Sequence, residues 1–137
     1  MPLVYSAQGK VESLNVKRPL YNTWLCRLFV NNYVPVFGMA IGNFTQAGFQ
    51  GYIAKAINFA NFPVIQVNGK ALMTSVLITW TPTGVAVQNT VFGYYVTDAA
   101  NTTVYFAERN PAGGIIVGQD LSPFTVQLNI TDDTDPT

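Results

Sequence analysis

Turn-forming residues punctuate this chain at short intervals, at Asn31-Asn32, Asn68-Gly69, Thr81-Pro82-Thr83-Gly84, Asp98–Thr102 and Asn110-Pro111-Ala112-Gly113-Gly114. With the glycines at 38, 42, 48, 51 and 118 included, a turn signal recurs about every 8–12 residues. Between the turns run segments in which apolar and polar residues alternate, the pattern of a strand with one face buried. No segment of useful length repeats with a helical period. Roughly eight or nine short strands with regular turns predict an all-β fold, a single-domain antiparallel β-sandwich or jelly roll. A chain of 137 residues buries roughly two thirds of its unfolded surface, so it needs no disulfide or metal to hold together.

Thr23–Val30 is the first expected strand, with Trp24, Cys26, Leu28 and Val30 on one face and Leu25, Arg27 and Phe29 on the other. Gly38 to Gly51 reads as a long loop or a short helical turn. Gly51–Phe59 is ambiguous, because alanine favours helix and the alternation favours strand, and a strand is expected. Asn68-Gly69 between the apolar runs Val64–Val67 and Ala71–Trp80 is a strong hairpin cue, since both residues tolerate the positive φ of a type I′ turn. Val85–Thr97 is expected as a long strand bent at Gly93, paired with a returning Thr103–Glu108. Ile115-Ile116-Val117 makes a brief strand ending at Gly118. Pro123–Thr131 alternates most regularly, with Phe124, Val126, Leu128 and Ile130 inward. Residues 1–20 carry four charges and little periodicity; they read as an extended N-terminal arm or a weak edge hairpin. Residues 21–131 form the β domain, and the acidic tail 132–137 has no apolar group to hold it.

The chemistry that is missing narrows the function. There is no histidine, a single cysteine and 10% charged residues, where a globular domain carries about 25%. Histidine bases, paired carboxylates, activated thiols and metal ligands build most neutral-pH catalysis, so no enzyme is expected. Cys26 sits in an apolar alternating run and reads as a buried hydrophobe. Asp98 precedes small turn residues, where a carboxylate bonds its own backbone, and Glu108-Arg109 reads as a solvated pair. Nothing selects Glu108 and Asp120 as facing carboxyls. No metal and no cofactor is expected, since the acidic tail lacks the glycine and distal glutamate of a calcium loop. The triplets at Asn43, Asn101 and Asn129 match a glycosylation signal by chance in a chain rich in Asn and Thr.

Charge is uneven along the chain. Lys10, Lys17, Arg18, Arg27, Lys55 and Lys70 stand against Glu12 up to residue 70, while Arg109 stands against Asp98, Glu108, Asp120, Asp132, Asp133 and Asp135 beyond it. Either the halves pair within a monomer, or a basic surface of one subunit meets an acidic surface of its neighbour. The basic cluster is too small for a nucleic-acid footprint. The charge-free stretches Leu28–Ala54 and Ala71–Thr97 exceed the ~20 residues of a membrane span, but polar residues, glycine and proline interrupt both, so no membrane contact is expected. Met1–Tyr5 shows no basic segment leading into an apolar one, as a secretory leader would. Tyr33, Phe37, Phe44 and Phe49 fall in loops, where they would stack on sugar rings, meet a neighbouring subunit or fill the core.

Four stretches carry a resemblance. Leu28-Phe29-Val30-Asn31-Asn32-Tyr33, Asn43-Phe44-Thr45 with Gly51-Tyr52, Phe92–Asp98 followed by Tyr105-Phe106-Ala107-Glu108-Arg109, and Gly118-Gln119-Asp120-Leu121 before an alternating strand resemble small structural proteins of tailed bacteriophages. The resemblance spans about residues 23–131 and leaves the first twenty unmatched. It implies a virion component made in the host cytoplasm, first of all a capsid decoration (cement) protein. Such a subunit would stitch the major capsid protein lattice as a symmetric homo-oligomer, for example a trimer, with the arm and Lys10, Lys17 and Arg18 laid over a neighbour. The alternative it implies is a head-fibre or tail-associated module that binds host glycans, or another virion protein, through Tyr33, Phe37 or Phe49.

Overall fold

The computed structural model describes residues 14–17, 19–57, 65–67, 70–75 and 77–132, and most of their regular structure is antiparallel strand. In chain order the strands are β1 (Leu25–Phe29), β2 (Lys55–Ala56), β3 (Ile65–Val67), β4 (Lys70–Thr74), β5 (Ile78–Trp80), β6 (Asn89–Val91), β7 (Gly93–Thr97), β8 (Val104–Arg109), β9 (Ile115–Val117), β10 (Phe124–Val126) and β11 (Asn129–Asp132). They form four small sheets, and none of these closes into a barrel. The expected all-β class is therefore observed. The chain divides into two compact units: Met1–Thr23, Ile57–Leu77 and Gln127–Thr137 make the first, and Trp24–Ala56 with Ile78–Val126 make the second.

The second unit is built on a four-stranded sheet in the order β2-β1-β7-β8. Its centre, β1, is buried on both faces, which explains why Cys26 and Leu28 on one side and Phe29 on the other are all apolar. β1 pairs with β7 from Leu25↔Thr97 to Phe29↔Gly93, and β7 turns back into β8 as the hairpin cue predicts. The long strand expected over 85–97 starts only at Asn89 and breaks at Phe92. Backbone bonds carry the ladder across that break, from Phe92 N–H to the Phe29 carbonyl (2.9 Å) and from Asn110 N–H to the Phe92 carbonyl (2.8 Å). Gly93 permits the close approach: a Cβ there would collide with the Glu108 carbonyl oxygen and come within 2.8 Å of the Phe29 ring. Two-stranded sheets β6-β9 and β10-β5 complete the unit, with Trp80 Nε1 donating to the Ile53 carbonyl at 2.7 Å. Of the strand expected over 51–59, the described residues 51–57 form only the two-residue β2, and 58–59 lie outside the described residues.

In the first unit β4 is flanked by β11 and β3. The register Val67↔Lys70 leaves two residues for the turn, as Asn68-Gly69 predicts; those two lie outside the described residues. The predicted strands 71–80 and 123–131 each break in two. At the break Ser75 is buried: its N–H donates to the Leu128 carbonyl (2.9 Å), its Oγ accepts from Leu128 N–H (3.0 Å), and its carbonyl accepts from Gln127 Nε2 (3.1 Å). A serine side chain thus replaces a rung of ladder. The in-and-out alternation from Phe124 to Ile130 survives the break.

Most of the expected arm, residues 1–13 and 18, lies outside the described residues. Residues 14–17 and 19–21 are helical rather than extended, and Leu14 is buried. Thr23 closes this stretch, its N–H and Oγ1 both donating to the Leu20 carbonyl (3.0 and 2.7 Å). A helix this short shows too few turns to reveal a period in sequence. Of the expected tail, Asp132 pairs with Ala71 in β11, and 133–137 lie outside the described residues. No helix among the described residues is long and apolar enough to cross a membrane.

Candidate interaction surface

The loop that leaves β1 is closed at its base and open at its tip. Val30 N–H donates to the Thr45 carbonyl (2.8 Å) and Ala47 N–H to the Leu28 carbonyl (3.0 Å), so residues 31–44 leave and re-enter the sheet at one place. Compact loops with adjoining ends are held by their own side chains, and here Asn31 does most of this. Its Oδ1 accepts from Thr45 N–H (2.8 Å) and its Nδ2 donates to the Asn43 carbonyl (2.8 Å). Asn43 Oδ1 in turn accepts from Ala40 N–H (2.9 Å) across the 3-10 turn Ile41–Asn43. From β8, Arg109 donates through Nε (2.9 Å) and Nη2 (2.6 Å) to Asn32 Oδ1 and lies over the Phe92 ring at 5.8 Å.

Beneath the loop, Phe44 stacks on Tyr95 of β7 with ring centres 4.5 Å apart. The same ring meets Phe29 (5.2 Å) and Tyr33 (5.0 Å) edge-on. Met39 and Ile41 pack against this cluster, which leaves the stretch between Tyr33 and Met39 outside it. There the chain makes a turn in which Met39 N–H donates to the Val36 carbonyl (3.1 Å), with Gly38 at φ +86°. A type II turn needs positive φ at that third position, which glycine supplies. The turn holds Phe37 fully in solvent, and Val34 and Val36 are exposed beside it. No charged residue occurs from 28 to 54.

The residues singled out in the sequence scatter. Lys10 and Arg18 lie outside the described residues, and Lys17 is partly buried on the helical stretch. Phe49 is 2% exposed and packs edge-on against Tyr52 at 5.4 Å, so it belongs to the core and presents nothing to a partner. Tyr33 is half-buried against Phe44. Phe37 alone of the three stands in solvent, joined there by Val34 and Val36, which the sequence did not single out. The basic and acidic halves of the sequence do not become basic and acidic units. The first unit contains Lys10, Lys17, Arg18 and Lys70 against Glu12, Asp132, Asp133 and Asp135, and the second Arg27, Lys55 and Arg109 against Asp98, Glu108 and Asp120. Each is formally neutral, because the chain weaves between units several times.

The carboxylates of the second unit have structural partners. Asp98 Oδ1 accepts from Thr102 N–H (2.7 Å) and Thr103 N–H (3.1 Å), and Oδ2 accepts from Thr102 Oγ1. The Thr102 hydroxyl first, then these backbone donors, hold the Asp98 carboxyl below the usual carboxylate range. Asp120 is lowered in the same way by Ser122, whose N–H donates to Oδ1 at 2.8 Å. Glu108 does not pair with Arg109 as expected: its Oε2 accepts from the Tyr94 hydroxyl (3.1 Å), while Arg109 turns to Asn32. Among the described residues no group of three His, Cys, Asp or Glu is placed to hold a metal ion. Cys26 is buried and its thiol is pushed far up by loss of solvent, the opposite of an activated nucleophile. Comparison with family models, curated proteins and solved structures found no match.

Proposed function

We propose that this chain is a structural subunit of a bacteriophage virion, a capsid decoration protein that docks on the major capsid protein lattice through the loop carrying Val34, Val36 and Phe37. The observation that carries the reading is a firmly seated loop whose uncharged apolar tip points into solvent. Its apolar residues leave no buried cation or carboxylate to desolvate on docking, and the tied base means that little loop entropy is lost. The bacteriophage assignment is supported by the resemblance of the stretches from Leu28 to Leu121. Sandwich or jelly-roll packing of the sheets and an arm, confined to the residues before the buried Leu14, that reaches a neighbour belong to the same proposal.

Magnitudes favour an oligomer. Fully burying a valine or phenylalanine is worth about 1.5–3 kcal/mol, so three such side chains give at most about 4.5–9 kcal/mol. Association costs on the order of 4–15 kcal/mol before any net affinity appears. One loop is too weak alone, whereas a symmetric homo-oligomer presenting several loops gains by effective concentration.

The test is co-sedimentation with cognate capsids that lack the protein. Phe37→Ser and Val34→Ser are expected to keep the fold and lose sedimentation. Sedimentation of Phe37→Ser at the wild-type level would overturn the docking role. An arm deletion is informative only if it stops before residue 14, since Leu14 is a buried side chain.

A further inference from the structure

The middle of β1 holds a cation for which the described residues supply no opposite charge. Arg27 is 8% exposed. Its Nε donates to Thr97 Oγ1 at 2.9 Å, and its Nη1 reaches Gln46 Oε1 at a long 3.4 Å. Both acceptors are neutral, and among the described residues Arg27 makes no ion pair. A guanidinium has five N–H donors, so most of them have no acceptor here. Nη2 makes no hydrogen bond, and it is not sealed off: Asn101 Oδ1 is the one described side-chain polar atom closed to solvent without a partner.

A second donor stands beside it. Gln46, which accepts from Arg27, donates through Nε2 to the Tyr52 hydroxyl oxygen at 2.9 Å, and Leu28 N–H donates to the same oxygen at 3.1 Å. Two accepted bonds fill the oxygen's lone pairs, which leaves the Tyr52 hydroxyl proton to be donated elsewhere. The Gln46 amide therefore bridges Arg27 and Tyr52, both with protons to give. Burying a charge without a partner is costly, and an anion brought to it removes most of that cost.

We propose that Arg27 and Tyr52 form a receptor for a single carboxylate. With Nε held by Thr97 and Nη1 reaching Gln46 only at a long 3.4 Å, Nη2 is the nitrogen without a partner, and a carboxylate that takes it and displaces the long Gln46 bond is held through paired bonds. The site offers one cation that is 8% exposed, and a single positive charge suits a monoanion better than a phosphate dianion or a neutral sugar. The carboxylate arrives either as a free small acid or at the end of an Asp or Glu side chain of a docked protein. The proposal stands independently of capsid docking.

The full-length protein is titrated with acetate and, separately, with N-acetylglutamic acid amide, whose only carboxylate is the side chain, at constant ionic strength set with chloride. The unfolding midpoint is expected to rise saturably, on the order of 5–10 °C at a hundredfold excess over Kd, and Arg27→Gln is expected to abolish the rise. Response to acetate alone assigns the site to free acids, and response to both shows that it admits a protein side chain. A rise shared equally by Arg27→Gln, or none in the wild type, overturns the proposal. Should Arg27→Gln not fold, the guanidinium NMR signals of Arg27 in the wild type decide: a saturable shift with acetate supports the site, and unmoved signals refute it.

Discussion

Replacing Phe44 by alanine separates the base of the apolar loop from its tip. Phe44 is 9% exposed, and its ring meets Tyr95, Tyr33 and Phe29 at 4.5, 5.0 and 5.2 Å. An aromatic side chain buries about 150–250 Å², worth about 4–6 kcal/mol at ~25 cal/mol per Å². Measured Phe-to-Ala losses in cores run about 3–5 kcal/mol, so a loss of about 4 kcal/mol is expected. Phe44→Leu keeps most of the apolar area but gives up the ring pairs, each worth about 0.5–1.5 kcal/mol, and should lose about 1–2 kcal/mol. Phe37→Ser should stay within about 0.5 kcal/mol, since an exposed side chain has little packing to forfeit. The assay is urea unfolding followed by tryptophan fluorescence. Both tryptophans, Trp24 and Trp80, lie in the unit that contains Phe44, so the signal reports the right part of the chain. A Phe44→Ala loss below about 1.5 kcal/mol, or a Phe37→Ser loss equal to it, would refute the division into seated base and free tip.

Further expectations follow from the same geometry. Gly93→Ala places a methyl against the Glu108 carbonyl and the Phe29 ring and should cost about 1–3 kcal/mol in urea unfolding; an unchanged midpoint would show that β7 and β8 can part at that point. Cys26 is fully buried with its thiol pushed up by burial, so a thiol reagent should label the native protein only as fast as it unfolds. Rapid labelling at mild alkaline pH would contradict this. The Asp98 carboxyl is held low by Thr102 and Thr103 in the folded chain. It therefore stabilises the fold above its unfolded value of about 3.9, and that contribution disappears as pH falls through the folded value. The acid limb of a stability–pH profile should be shallower in Asp98→Asn, and identical limbs would disprove the contribution.

What the sequence could reveal depended on the range of the interaction that sets each feature. Period-two patterning identified β1, the β7–β8 hairpin and the alternation from Phe124 to Ile130, because those depend on neighbours along the chain. Asn68-Gly69 predicted a two-residue turn for the same reason, and the observed register agrees. The breaks at Phe92 and Ser75 were not legible, since they arise from the Phe29 carbonyl and from Leu128, distant in sequence. Loop aromatics were the hardest to sort. Phe44, Phe49 and Phe37 look alike in composition, and only tertiary packing sends the first two inward and leaves the third on a type II turn. Arg27 shares a face of the first strand with Leu25 and Phe29, and the sequence does not say whether it is covered; strands on both sides of β1 and the return of the loop at Gln46 bury it. Charge polarity was legible along the chain but not in space, because each unit gathers segments from both halves.

The docking claim is tested most directly by placing a photoactivatable phenylalanine analogue at position 37 and irradiating the protein on its capsid. The account predicts one cross-linked product with the major capsid protein, and none when the analogue sits at Ala99, which is exposed on the turn after β7. Full binding with no cross-link from position 37, or a cross-link from position 99 alone, would contradict it.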